Sequence, residues 1–246
     1  MIYITGDCHA DFRKFSSKRF KAQKEMTHED YLIVCGDFGG VWKDDERERY
    51  WLNWLSQKPF TLLFVDGNHE NFDRLYSGEF AEVDFHGGRA HKIRDNIYHL
   101  MRGHVFSLCG KTFFAFGGAA SHDIADGILD RADFTSERAF KITYHNMQRA
   151  RKLFRVNHRS WWAEELPSRE EMERGRMRLK EYGNRCRLCD HPLSAIYAGL
   201  SFPGCGSGSH EYILRRPDAK RTANADVVLR PLSYGSAAYE PIPRVI

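Results

Sequence analysis

Residues 31–40 read Tyr31-Leu32-Ile33-Val34-Cys35-Gly36-Asp37-Phe38-Gly39-Gly40, a short apolar run that stops at Gly-Asp in a glycine-flanked turn. Two further runs end in the same way. Residues 1–5 lead into Gly6-Asp7-Cys8-His9, and residues 60–65 lead into Asp66-Gly67-Asn68-His69-Glu70. Between the second and third runs, residues 45–57 carry Tyr50, Trp51, Trp54 and Leu55 at helical spacing. Strand, helix, strand with unbroken apolar strands predicts a parallel β-α-β unit, because strands buried on both faces have no polar side to alternate. Short strands are also expected at 98–101, 105–108 and 112–116, with a turn at Cys109-Gly110-Lys111. Farther on, Ser168-Arg169-Glu170-Glu171 has the Ser-x-x-Glu spacing of a capping box and predicts a helix running to about Tyr182. The fold class is therefore α/β, a layered sheet with helices outside.

Composition is consistent with that reading. A chain of 246 residues with 42% hydrophobic and 13% aromatic content has the material for a core. The formal charge of +4 is too small to indicate a nucleic-acid binder. No apolar run is long enough for a membrane span. The chain opens on strand-like residues with no basic segment or cleavage site, so no secretory signal is expected and the six cysteines read as thiols of a cytoplasmic protein.

Strand ends along one edge of a parallel sheet are where α/β folds place their sites. The residues delivered there are Asp7, His9, Asp37, Asn68 and His69. Asp7 and His9 are two apart and can point the same way from an extended segment. Carboxylate oxygen beside imidazole nitrogen suits a divalent transition metal. Asp37 has two oxygens and could bridge two cations, Asn68 offers a neutral oxygen, and His69 could act as an acid rather than a ligand. Each motif alone is more often a plain turn or surface polarity; three at the ends of successive strands point to a site.

In these three motifs, Gly6-Asp7-Cys8-His9, Gly36-Asp37-Phe38-Gly39-Gly40 and Gly67-Asn68-His69-Glu70, the chain resembles the calcineurin-like metallophosphoesterase superfamily, in order and with suitable spacing. It is most similar to small bacterial and phage-type members, which share stretches like Phe116-Gly117-Gly118-Ala119 and Ser160-Trp161-Trp162. The resemblance implies a four-layer αββα sandwich and two divalent metal ions, manganese, iron or zinc. Asp7 and His9 would bind the first metal, Asp37 would bridge, and Asn68 would bind the second. A metal-activated hydroxide would attack phosphorus in line while His69 protonates the leaving oxygen. The substrate would be a phosphate mono- or diester, with nucleic acid entering only as substrate. A non-catalytic scaffold that keeps the fold for partner binding is the competing reading.

The resemblance covers residues 1–185 and then fails. The family completes its site with a Thr-His after an apolar strand and with a late Gly-His-x-His; residues 185–191 read Arg-Cys-Arg-Leu-Cys-Asp-His instead, and no Gly-His-x-His follows. The genetic code accounts for the gap. Read one base later, with permitted synonymous codons, residues 186–196 spell Val-Asp-Tyr-Val-Ile-Thr-His-Cys-Pro-Pro-Ser, the histidine falling at Pro192. The same shift turns residues 227–233 into Trp-Phe-Phe-Gly-His-Tyr-His, with histidines at Pro231 and Ser233. A frameshift near codons 184–186 is therefore expected, leaving 1–185 as a truncated domain with its C-terminal part incomplete. Residues 186–246 would be an aberrant, out-of-frame and poorly ordered tail. Composition breaks at the same place: all but one of the 17 phenylalanines precede it, and six of the eight prolines follow it. Cys186-x-x-Cys189 with His191, Cys205 and His210 imitates zinc-ligand spacing but lacks a clean second pair.

Overall fold

The computed structural model describes residues 1–182, 193–197 and 212–214. Strands β1 (Ile2–Thr5), β2 (Tyr31–Cys35) and β3 (Thr61–Val65) lie side by side in parallel, and helix α1 (Glu46–Ser56) crosses between the second and third. Asp45 caps α1 by accepting the Glu48 N–H at 2.8 Å, which satisfies one of the unpaired donors of the first turn. Register sets the functional edge. Thr5 is level with Val34, and Cys35 with Val65, so all three strands deliver their Gly-Asp or Asp-Gly turns at the same height. Gly36 N–H donates to Val65 O at 3.0 Å and ties two of these ends together.

The remaining elements are α2 (Phe72–Leu75), β4 (Ala81–Phe85), β5 (Gly88–Arg94), β6 (Ile97–Leu100), β7 (His104–Leu108), β8 (Lys111–Phe116), β9 (Ile128–Leu129), α3 (Glu137–Arg149), β10 (Arg155–Val156), α4 (Arg169–Glu181), β11 (Leu193–Tyr197) and β12 (Tyr212–Leu214). A seven-stranded sheet runs β12-β1-β2-β3-β6-β5-β4, a three-stranded sheet runs β11-β8-β7, and β9 pairs with β10. The strands expected at 98–101, 105–108 and 112–116 are β6, β7 and β8, each beginning a residue earlier than its pattern suggested. The capping box at Ser168 and Glu171 is formed in full and starts α4.

Alternation along the strands assigns the layers. Leu32, Val34, Leu62 and Phe64 pack to one side with Leu52 and Leu55 of α1. Their neighbours Ile33, Leu63 and Val65 pack to the other side against Phe106, Phe113 and Ala115 of the small sheet. The outer face of that small sheet, Val105, Phe114 and Phe116, meets Leu179 of α4. Helix, sheet, sheet, helix is the four-layer αββα sandwich, built because each sheet has two apolar faces to cover.

Within the tail, β11 lies parallel to β8 and β12 antiparallel to β1, so these two stretches extend sheet edges. Cys186, Cys189, His191, Pro192, Cys205, His210, Pro231 and Ser233 lie outside the described residues. Among the described residues no helix is long and apolar enough to cross a membrane.

Two buried histidines make the fold acid-sensitive. Burial lowers His91 to about 3 and His104 to about 4. In the unfolded chain both would take a proton near pH 6.5. Between those limits the unfolded state binds more protons, so stability is complete above pH 6.5 and falls as pH is lowered. Each histidine is expected to cost about 2 kcal/mol by pH 5. Thermal melts of the full chain and of His91→Phe at pH 7 and pH 5 check this: the wild-type Tm drops, and the variant drops less.

Candidate metal centre

The turn after β2 organises the site. Cys8 N–H and His9 N–H both donate to Asp37 O, at 2.9 and 2.8 Å, and Ala10 N–H donates to Phe38 O at 3.1 Å. Those bonds hold His9, Ala10 and Asp37 at φ of 45°, 59° and 43°, in the left-handed region that non-glycine residues seldom occupy. Strain of this kind costs on the order of 1–3 kcal/mol per residue and gathers where side chains must be aimed. Glycine is required at two points. At Gly39, φ is +68° and a Cβ would stand 2.8 Å from Ala10 N; at Gly67, a Cβ would overlap the Asp37 carboxylate. Glu70 completes the support: it is fully buried and accepts the N–H groups of Phe38 and Gly39 at 2.9 and 3.0 Å. Burial raises its carboxyl well above the usual range.

Four of the five site residues expected from the sequence meet directly. His9 Nε2 is 2.8 Å from Asp7 Oδ2 and 3.6 Å from Asp37 Oδ2. The His9 and His69 rings meet edge to face at 4.6 Å. One ligand atom from each of His9, Asp37 and His69 falls within a 4.8 Å cluster. From its motif His69 is expected only as an acid, so its presence among these potential donors is an addition. Asp37 divides its labour: Oδ1 accepts the N–H groups of Asn68 and His69 at 2.9 and 3.0 Å, while Oδ2 faces the cluster. Asp7 and His9 are half-exposed, which leaves the cluster open to a ligand. Burial lowers the proton affinity of His69, and His9 and Arg155 add to that, while Asp37 and Asp123 oppose it.

Asn68 is reached differently. Its side-chain Nδ2 donates to Ser121 Oγ at 3.1 Å. Ser121 in turn gives both of its donors, N–H and O–H, to Glu165 at 2.8 Å each, and the Trp161 indole donates to the same carboxylate at 2.9 Å. Burial raises the Glu165 carboxyl, but these three donors favour its charged form. With its own hydrogen committed to Glu165, Ser121 Oγ must accept from Asn68, which turns the amide oxygen of Asn68 away from Ser121. Ser121 and Glu165 lie 53 and 97 positions from Asn68, and no local pattern in the sequence marks them.

Other polar and aromatic groups around the site have supporting roles. Arg102 is buried and bound to Asp66 and Glu171. A guanidinium enclosed by two carboxylates is closed to substrate. His99 is fully buried against Asp66 at 2.9 Å. Asp123 is held by Arg155 at 2.7 Å, and both charges act on His69. Cys8 is buried with its thiol pushed up to about 12, as suits a small filler and not a nucleophile. Trp162 is core, with its indole N–H on Asp73 at 2.8 Å.

Comparison with known proteins agrees with this architecture. The model of the calcineurin-like phosphoesterase family matches residues 1–193. The chain is 25% identical over 160 residues to lariat debranching enzyme A of Xenopus laevis, in an alignment covering 58% of this chain and 28% of that protein. The chain thus spans well under a third of that relative's length. No solved structure matches it.

Proposed function

This chain belongs to the calcineurin-like phosphoesterase family, and from that premise we propose that its site acts on phosphate mono- or diesters with two divalent cations, in a form weakened by its C-terminal sequence. The observation that carries the reading is the convergence of His9, Asp37 and His69, with Asp7 at hydrogen-bond distance from His9. Imidazole nitrogens beside carboxylate oxygens fit manganese, iron or zinc. Asp7 and His9 would hold one cation, Asp37 would serve both, and Asn68 would offer its amide oxygen to the second. Bound cations neutralise phosphate charge and lower the pKa of a coordinated water.

The protein's own groups do the rest. Asp37 Oδ1 and Glu70 fix the turns so that the donors need no rearrangement when a ligand arrives. His69, whose protonated form the Asp37 and Asp123 charges favour against burial, would pass a proton to the departing ester oxygen. Ser121 and Glu165 aim Asn68. Ser121→Ala frees that amide, and the expected result is a 10- to 100-fold loss of affinity for the weaker cation, together with a lower Tm because the buried Glu165 carboxylate loses a donor. Calorimetric manganese titration checks it.

Weakening follows from what the chain omits. The Thr-His and Gly-His-x-His segments belong to a reading frame one base away, so the second cation is left with too few ligands. Domain 1–185 is read as truncated and 186–246 as out of frame. The expected activity of this polypeptide is low, measured as manganese-dependent hydrolysis of an aryl phosphate. Brisk turnover with two retained manganese ions overturns the impairment. Sequencing the gene around codon 185 tests its origin: a shifted frame that lacks the histidine codons ends the frameshift explanation.

A further inference from the structure

Beside the metal-ligand cluster lies a cavity of about 300 Å³ that the proposed chemistry leaves without a role. His9 and His69 form one end, and Phe12, Trp42 and Trp51 line its walls. The Trp42 ring runs nearly parallel to His69 at 6.3 Å, so an aromatic surface continues straight out of the candidate metal centre. Trp51 meets Phe12 edge to face at 6.0 Å farther along. These walls are flat and π-faced, suited to a ring more than to an acyl chain.

Charge on the cavity is sorted in a way that composition conceals. Asp45 and Glu48 also line it, yet both are engaged. Asp45 caps α1, while Glu48 accepts the N–H groups of Trp42 and Lys43 at 2.6 and 2.7 Å and the Arg74 guanidinium at 2.6 Å. Lys43 and Arg47, at the same cavity, enter no ion pair among the described residues. Aromatic walls, two uncommitted cations and an adjoining phosphoester site are complementary to one kind of ligand. We infer that this cavity seats the base of a nucleotide, stacked between Trp42 and Trp51, with Lys43 and Arg47 taking a neighbouring phosphate or ring acceptor.

The volume accommodates one small ligand and not a folded protein surface. A phosphotyrosine peptide is the competing aromatic ester. Its single phosphate is the group under attack and its phenyl ring carries no acceptor, which would leave Lys43 and Arg47 without a partner, whereas a base offers ring acceptors. The inference rests on the phosphoesterase reading for the position of the phosphorus, but base recognition can be measured without turnover.

The full chain is titrated by calorimetry with 5′-AMP, ribose 5-phosphate, a short single-stranded oligonucleotide and a phosphotyrosine peptide. AMP is expected to bind at least tenfold tighter than ribose 5-phosphate, and Trp51→Leu to weaken AMP about tenfold. An oligonucleotide tighter than AMP identifies a strand as the source of the base; equal affinity identifies the free nucleotide. Equal affinity for AMP and ribose 5-phosphate, or a preference for the phosphotyrosine peptide, overturns the inference. Manganese titration of the same sample separates the two claims. Nucleotide binding with no manganese binding, either in this chain or in the version with the frame restored, removes the phosphoesterase reading and upholds the pocket, and the reverse removes the pocket alone.

Discussion

Replacing Arg102 by Ala is expected to lower the unfolding free energy by about 3–5 kcal/mol, the largest stability effect of any single change considered. Asp66 is fully buried at the end of β3, one residue before the Gly67-Asn68-His69 turn. Arg102 Nε reaches its Oδ2 at 2.8 Å, and His99 Nε2 reaches its Oδ1 at 2.9 Å. The same guanidinium donates to Glu164 O at 2.8 Å and to Glu171 at 3.2 Å, so it fastens β3 to α4 and to the segment before it. Burial alone would raise the Asp66 carboxyl, but Arg102 and His99 hold it well below the ordinary carboxylate range. Without Arg102 a buried carboxylate keeps one partner, and the cost is that of an uncompensated charge. A depressed acid contributes stability above its unfolded pKa near 4 and loses it as pH falls below that value. The deficit of Arg102→Ala should therefore shrink below pH 4, where protonation removes the stranded charge. Urea unfolding at pH 7 and pH 3.5 reads both numbers. A deficit under about 1 kcal/mol at pH 7 contradicts the account, because it would place the pair in solvent-like surroundings.

The second large effect concerns metal and not stability. Asp37→Asn retains an oxygen to accept the Asn68 and His69 N–H groups, now bonded to Asp37 Oδ1 at 2.9 and 3.0 Å. It replaces the outward oxygen with a donor and removes the charge. The fold should survive with Tm nearly unchanged, while manganese affinity falls by more than about 100-fold, beyond what supporting residues cause. Calorimetry on the variant and the parent chain measures this. Unchanged affinity would mean that Asp37 holds no cation, as the scaffold reading requires.

The site edge was legible because its signal is local. Each strand is a continuous apolar run, each ends in a glycine turn, and parallel register brings the three ends level. The helix α4 was equally plain, since a capping box is written within four residues. Harder to read was the β4–β5 hairpin, whose first strand is largely exposed and carries Glu82 and Asp84, so that no buried face sets an apolar rhythm. Helix α3 buries only Phe140 and reads as a polar stretch. The buried role of Arg102 is hidden for a related reason. An arginine between two histidines resembles surface chemistry until Asp66, 36 positions away, is known to lie beneath it. Ser121 and Glu165 belong to the same class, since their meaning comes from a relay in which Asn68 bonds Ser121 and Ser121 bonds Glu165.

The central claim is that this chain carries a two-cation phosphoester site whose later histidines are missing. Manganese stoichiometry tests it most directly, measured on the chain as it stands and on a version with the reading frame restored after codon 185. Two tightly held ions are expected in the restored protein and weak, incomplete retention in the present one. Two tight ions in both, or none in either, would contradict it.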